Sequence, residues 1–252
     1  MTSMPLTRPR HWLRWLLVAI AGLVVLAAAG PFVYIHFFNG STPAALSLSP
    51  SSTPGSAPGS TSAGTAASSA AAGTAATGPV AGAWTVGPGS VVGYRVSEVL
   101  LGQSATAVGR TTAVTGHLTI AGTTVTAAAF SVPMGTVHSD KSQRDAQFDG
   151  RIMDVSQYPT GAFTLTSPID LAPLPAGGVI KGYTAHGNLT LHGTTRAVTF
   201  TLTAERKVSQ IEVVGDIPVL FSDYNIQNPS FAGFVTTQDH GLLEFLLVFS
   251  RT

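Results

Sequence analysis

From Trp84 to the C-terminus, for about 170 residues, the chain alternates apolar and polar residues with a period of two. Successive side chains of a β-strand point to opposite faces, so half-buried strands leave this pattern. Ala197–Ala204 is the cleanest case, with Val198, Phe200 and Leu202 between Thr199, Thr201 and Thr203. Ser90–Val96 puts Val92, Tyr94 and Val96 on one face, and Gly161–Thr166 does the same with Phe163 and Leu165. Gly187–Leu191 sets Leu189 and Leu191 among polar neighbours. Thr123–Val132 reads as Thr124, Thr126, Ala128, Phe130 and Val132 on one face, with Val125 and Ala127 on the other. Further strands are expected at 114–120, 210–221 and 241–250, with turns at Ala121-Gly122, Gly177-Gly178 and His192-Gly193. Many strands at short spacing predict an all-β sandwich or barrel.

One segment breaks the alternation. Ser139–Gly150 reads as a short helix with Asp140 as N-cap and Gln143 three residues on, a variant of the capping box. Asp140/Arg144 and Lys141/Asp145 stand i,i+4 on its exposed face, and Phe148 is the residue expected to dock. The last strand, Leu242–Phe249, is apolar on both faces. One face can line an interior; the other needs a cover, from the helix, a loop or a second copy of the chain.

Before Trp84 the chain is of another kind. Trp15–Phe38 is a 24-residue run without a charge, preceded by Arg8, Arg10 and Arg14 and followed by no basic residue until Arg95. About 20 apolar residues cross a bilayer, and the arginines place residues 1–14 in the cytoplasm. The expectation is a transmembrane signal-anchor over 15–38. Ala27-Ala28-Ala29 before Gly30 also has the look of a cleavage site, but the apolar run outlasts a signal peptide's usual 7–15 residues. On either reading, the rest of the chain is extracytoplasmic. Residues 39–82 read as a disordered linker, since 41–82 is Ser, Thr, Ala, Gly and Pro almost throughout, with no charge. As a flexible coil those 42 residues would reach roughly 35 Å. Residues 83–252 form the folded domain.

Composition excludes several functions. Without cysteine there is no disulfide, zinc-thiolate site, thiol nucleophile or lipid anchor on sulfur. All twelve acidic residues lie after position 97, while three of the thirteen basic ones precede the apolar run, so the exported part is near −2. That is no footprint for nucleic acid. The heavy use of Ala, Gly, Thr and Val suggests a GC-rich genome such as an actinobacterium's.

Several motifs together resemble the YceI-like family, the lipocalin-like, polyisoprenoid-binding domain of exported bacterial proteins. They are Val92-Gly93-Tyr94-Arg95-Val96 after Trp84, His138-Ser139-Asp140 with Arg144-Asp145, and Asp154–Thr160 followed by Phe163. The hairpin Gly187-Asn188-Leu189-Thr190-Leu191-His192-Gly193-Thr194-Thr195-Arg196-Ala197-Val198 is the most specific, and Phe221-Ser222-Asp223-Tyr224 matches a late Asp-Tyr element. The resemblance spans about 83–252. It implies an antiparallel barrel of about eight strands with a short helix and an elongated apolar cavity. It departs where many members carry Asp-x-x-His-Ser. Here Val86-Gly87-Pro88-Gly89-Ser90 keeps only the serine, so no ligand role of that Asp or His transfers.

Catalytic readings are weak. Ser139 lies between His138 and Asp140, but adjacency in sequence does not make a triad and there is no Gly-x-Ser-x-Gly elbow. His117, His138, His186, His192 and His240 suggest no metal spacing; His186 and His192 share a strand face but sit roughly 20 Å apart. Arg95, Arg110, Arg144 and Arg196 are candidates for a ligand's anionic head group, or for structural ion pairs. The stronger candidates are the inward apolar residues: Tyr94, Val96, Phe130, Val132, Phe163, Leu165, Leu189, Leu191, Phe200 and Phe245. Whether they enclose a cavity or fill it is a matter of volume. The expectation is a non-enzymatic, membrane-tethered carrier of a long apolar molecule, an isoprenoid lipid or quinone, needing no cofactor or metal. A filled barrel acting as an envelope interaction module, with the last strand as a homodimer interface, and an enzyme acting on a lipid are the alternatives.

Overall fold

The computed structural model describes residues 18, 20, 42–48, 80–100, 102–172, 178–207, 209–230 and 235–252. The expected anchor, 15–38, lies outside them apart from Val18 and Ile20, both helical and exposed. Among the described residues no helix is long and apolar enough to cross a membrane.

The domain is one antiparallel sheet closed on itself. β1 (Gly82–Val86) and β2 (Val91–Leu100) follow one another along the same edge of β13 (His240–Arg251). β3 (Gln103–Thr111) returns beside β2, and β4 (Thr115–Ala121) beside β1. β1 with β2, and β3 with β4, each make one long strand broken in the middle. With β5 (Thr124–Pro133), β7 (Thr160–Leu165), β9 (Gly178–Leu191), β10 (Thr194–Arg206) and β11 (Gln210–Leu220), the circuit has eight strands, and the β1–β13 pairing closes it. Short strands β6 (His138–Ser139), β8 (Ile169–Asp170) and β12 (Val235–Thr237) pair with β3, β5 and β2. Closure removes exposed edges.

The break between β1 and β2 explains the surviving serine. Ser90 Oγ accepts the Val248 N–H at 2.9 Å and donates to the Gly87 carbonyl at 2.8 Å, while Gly87 N–H donates to the Val248 carbonyl. The hydroxyl replaces ladder bonds that the kink removes. Val248, on the outer face of β13, is buried beneath this loop.

The structure corrects three expectations. In β5, Thr119 pairs with Ala127 but Ile120 with Val125, so Thr126 is the extra residue of a bulge. The bulge reverses the strand's parity, putting Val125 on the inner face with Ala128, Phe130 and Val132, and Thr124 and Thr126 on the outer one. The helix is shorter than 139–150: α1 spans Ser142–Gln147 and passes into a π-turn over Phe148–Ile152. Asp140 is not its cap, since Lys141 holds that position with no side-chain hydrogen bond. Asp140 pairs with Arg144, while Asp145 reaches back to the Ser139 N–H at 2.8 Å and hydroxyl at 2.6 Å. Phe148 docks as expected, stacked on Tyr94 at 5.1 Å. Finally, β3 is a strand that alternation did not reveal. Ala107 and Gly109 are too small to mark its inner face, and Gly109 is small because the Tyr94 ring lies on it.

Candidate ligand cavity

The barrel is hollow. A cavity of about 710 Å³ runs along it, inside the range of about 300–1,000 Å³ usual for small-molecule sites. At the end bearing the β4–β5 and β10–β11 turns it is bordered by Val80, Leu118, Ile120 and Ile211; at the other by Leu100, Pro229, Val235 and α1. All ten inward residues named from the sequence border it. Leu189, Leu191, Phe200 and Phe245 are buried in the wall, whereas Tyr94, Val96, Phe130, Val132, Phe163 and Leu165 keep surface open toward the cavity.

The rings form a girdle. Phe130–Phe163, Phe163–Phe200, Phe200–Phe245 and Phe130–Phe249 have centroids 6.2, 5.5, 5.8 and 5.8 Å apart. Packed freely, such rings would fill the lumen; glycines hold them to the wall. A Cβ at Gly187 would lie 2.2 Å from the Phe163 ring, at Gly215 2.7 Å from Phe245, at Gly116 2.5 Å from Phe130 and at Gly109 2.3 Å from Tyr94. Each ring thus lies over a glycine on the adjacent strand, where any other residue would push it inward. Sequence reading found the rings and missed these partners. It also missed Leu247 and Phe249, although they continue the alternation from Phe245.

Polar groups border the cavity mainly where α1 covers it. Arg144 meets Glu98 at 3.3 Å and pairs with Asp140. Burial opposes its charge, but the carboxylates of Glu98 and Asp140 hold Arg144 above the usual guanidinium value. Beside it, burial pushes the Tyr94 hydroxyl up to about 12, helped by Asp145 and Glu98 and opposed by Arg144. Tyr94 is therefore neutral at physiological pH. Lys141, Gln143, Gln147 and Arg151 complete this rim.

The other arginine candidates lie elsewhere. Arg95 and Arg110 project from the outer face, where their guanidiniums grip Glu244 at 3.1 and 2.7 Å. Arg196 is exposed and donates to the Asp223 carbonyl at 2.8 Å. β-strand parity is the reason: Arg95 stands between the inward Tyr94 and Val96. His117, His138, His186 and His240 face outward and His192 sits in a turn, and among the described residues no three metal-ligating side chains converge. His192 instead supports the fold. With φ of 46° it forms the tight turn with Gly193 (φ 70°), packs edge-on to Tyr158 at 4.6 Å and bonds the Tyr224 carbonyl at 3.2 Å. Three of the recurring motifs, 154–160, 187–198 and 221–224, thus pin one another together at one end of the barrel.

A closed antiparallel barrel around an elongated apolar cavity is lipocalin-like, an architecture that suggests binding of an apolar molecule. The chain belongs to the YceI-like domain family, whose model matches residues 84–249. Among solved structures it is similar to a polyisoprenoid binding domain from Saccharophagus degradans implicated in plant cell wall breakdown, at 14% identity. That likeness covers 67% of this chain and 98% of the other, with a TM-score of 0.52. It is also similar to BcnA of Burkholderia cenocepacia, at 19% identity over 62% of this chain and 95% of that one, with a TM-score of 0.48. At these identities the likeness concerns the fold. A search of curated proteins gives no match.

Proposed function

We propose that this chain is an extracytoplasmic, membrane-tethered binding protein that holds a long apolar ligand, an isoprenoid lipid or quinone, for storage or transport. The cavity carries this reading: elongated, apolar along its walls, and kept open by glycines beneath its rings. Binding would be driven by burial of apolar surface, about 2.5 kcal/mol for each 100 Å² before entropic costs. A polar head group would lie at the α1 end, beside Tyr94, Glu98 and Arg144. That the similar Saccharophagus degradans domain is described as polyisoprenoid binding supports the ligand class. Residues 15–38 would supply the anchor.

The test is native mass spectrometry of the full-length chain purified in detergent, followed by organic extraction. A stoichiometric isoprenoid released only on denaturation is the expected result. An empty barrel that also takes up neither added quinone nor polyprenol would overturn the reading and favour an interaction module.

A further inference from the structure

The outer face of β2, β3 and β13 carries a built contact unrelated to the cavity. Glu244 is only 1% exposed, though it points away from the lumen. Arg95 Nε approaches one of its carboxylate oxygens at 3.1 Å and Arg110 Nη2 the other at 2.7 Å. The third element comes from far off in the chain. Arg95 Nη2 donates to the Pro43 carbonyl at 2.9 Å, and Arg110 Nη2 donates to the Ala44 carbonyl. Pro43 and Ala44 therefore lie against this face, and Leu46 and Leu48 just beyond them are half-buried. Arginine offers donors in a fixed fork, so one guanidinium can hold the carboxylate and still capture a backbone carbonyl. Gly93 makes the cluster compact, since a Cβ there would lie 2.1 Å from the Gly109 carbonyl and 2.9 Å from Arg110 Cγ.

We propose that residues 42–48 are a built-in clasp that seats this outer face of the barrel beside the point where the chain leaves the membrane. The membrane side of this statement rests on the anchor at 15–38; the clasp does not. With 42–48 seated, only residues 39–41 separate the anchor from the barrel, a span of roughly 10 Å at full extension. Released, the whole 41–82 stretch would serve as tether, with a reach of roughly 35 Å. Clasped and released barrels would thus differ in how far a cargo can travel from the bilayer.

The cysteine-free sequence suits spin labelling. Nitroxides at Ser47→Cys and Ser104→Cys, both exposed positions, would be introduced into the full chain in lipid nanodiscs and their separation read by double electron–electron resonance. A single narrow distance distribution is expected, broadening in the Arg95→Lys/Arg110→Lys background, where an ammonium can still pair with Glu244 but the fork that reaches the Pro43 and Ala44 carbonyls is lost. A broad wild-type distribution, as a free coil of mean reach roughly 30 Å would give, overturns the clasp. So does a narrow one that the double lysine variant leaves unchanged. Intact mass of the labelled chain reports loss of the anchor separately, so failure of the tether and failure of the clasp are distinguishable.

Discussion

The two faces of β13 solve opposite problems within one strand. Inward, Phe245, Leu247 and Phe249 are apolar side chains whose packing against one another stops short of filling the space. Outward, Glu244 is a charge almost without solvent, and its oxygens are fully engaged by two arginines. The inner face tolerates emptiness because an apolar wall has no unmet hydrogen bonds. The outer face tolerates no loss, because a buried carboxylate without partners costs far more than its pairing gains. Stability should therefore respond steeply to changes outside the barrel and ligand capacity to changes inside.

The largest effect is expected on the outer face. Glu244→Ala leaves Arg95 and Arg110 facing each other without the carboxylate they share, and breaking a buried ion pair from one side costs about 3–5 kcal/mol. Urea unfolding should show that loss as a lower midpoint with an unchanged slope. A loss under about 1 kcal/mol, the range of an exposed pair, would mean that the arginines relax into solvent and that the two faces are not so different.

Next comes the glycine beneath a ring. Gly187→Val puts branched carbons where the Phe163 ring lies, and overpacking of this kind costs about 1–3 kcal/mol. The ring's free direction is the lumen. Bound apolar ligand, measured by extraction or by displacement of a fluorescent fatty probe, should fall more than stability does. Phe163→Ala is the counter-test: it should enlarge the cavity and cost less than the roughly 3–5 kcal/mol usual for a buried phenylalanine, since part of the ring already borders empty space. Equal loss of binding in both variants would break the claim that glycines set the bore.

Legibility in the sequence divides the same way. Inward rings alternate with threonines in β10, and so they were legible, as were the eight-strand class and the hairpin at His192-Gly193. A bulge leaves no mark in composition, so Thr126 could not be recognised as the residue that reverses β5. The purpose of Gly187, Gly215 and Gly116 depends on a ring from another strand, which no local pattern marks. Glu244 is one acidic residue in an apolar run, and its arginines lie 149 and 134 positions away in sequence. Pairing at that separation is decided by closure of the barrel. Tyr94 could be placed inward by parity, but its neutral hydroxyl beside Arg144 needed α1 in position.

That hydroxyl gives a pH test at the cavity rim. The pKa of Tyr94 rises from 10.0 in the free side chain to about 12 in the folded protein, so the folded state favours the protonated phenol. Its contribution is whole below about pH 10 and drains away as the pH climbs through about 12, a swing of about 2–3 kcal/mol. Tyr94→Phe should flatten that part of the alkaline unfolding curve while leaving the acid limb as it is. An unaltered alkaline limb would place the burden on Tyr183 and Tyr224, which burial also raises.

The smallest expected change returns to the outer face and asks whether every charge there is needed. Asp216 stands directly opposite Glu244 in the β11–β13 register. Burial and then the Glu244 charge raise its pKa, against a lowering by Arg95. A raised carboxyl favours the folded state only while protonated, so its contribution is present below the free value of 3.8 and lost as the pH rises through the folded one. At neutral pH the ionised Asp216 therefore works against the cluster that Glu244 serves. Asp216 is exposed, so solvent screens most of this effect; Asp216→Asn should leave thermal stability unchanged in acid and raise it by no more than about half a kcal/mol near pH 7. If it instead destabilises at pH 7, Asp216 is a working partner of Arg95, and the outer face balances two carboxylates against two arginines rather than one.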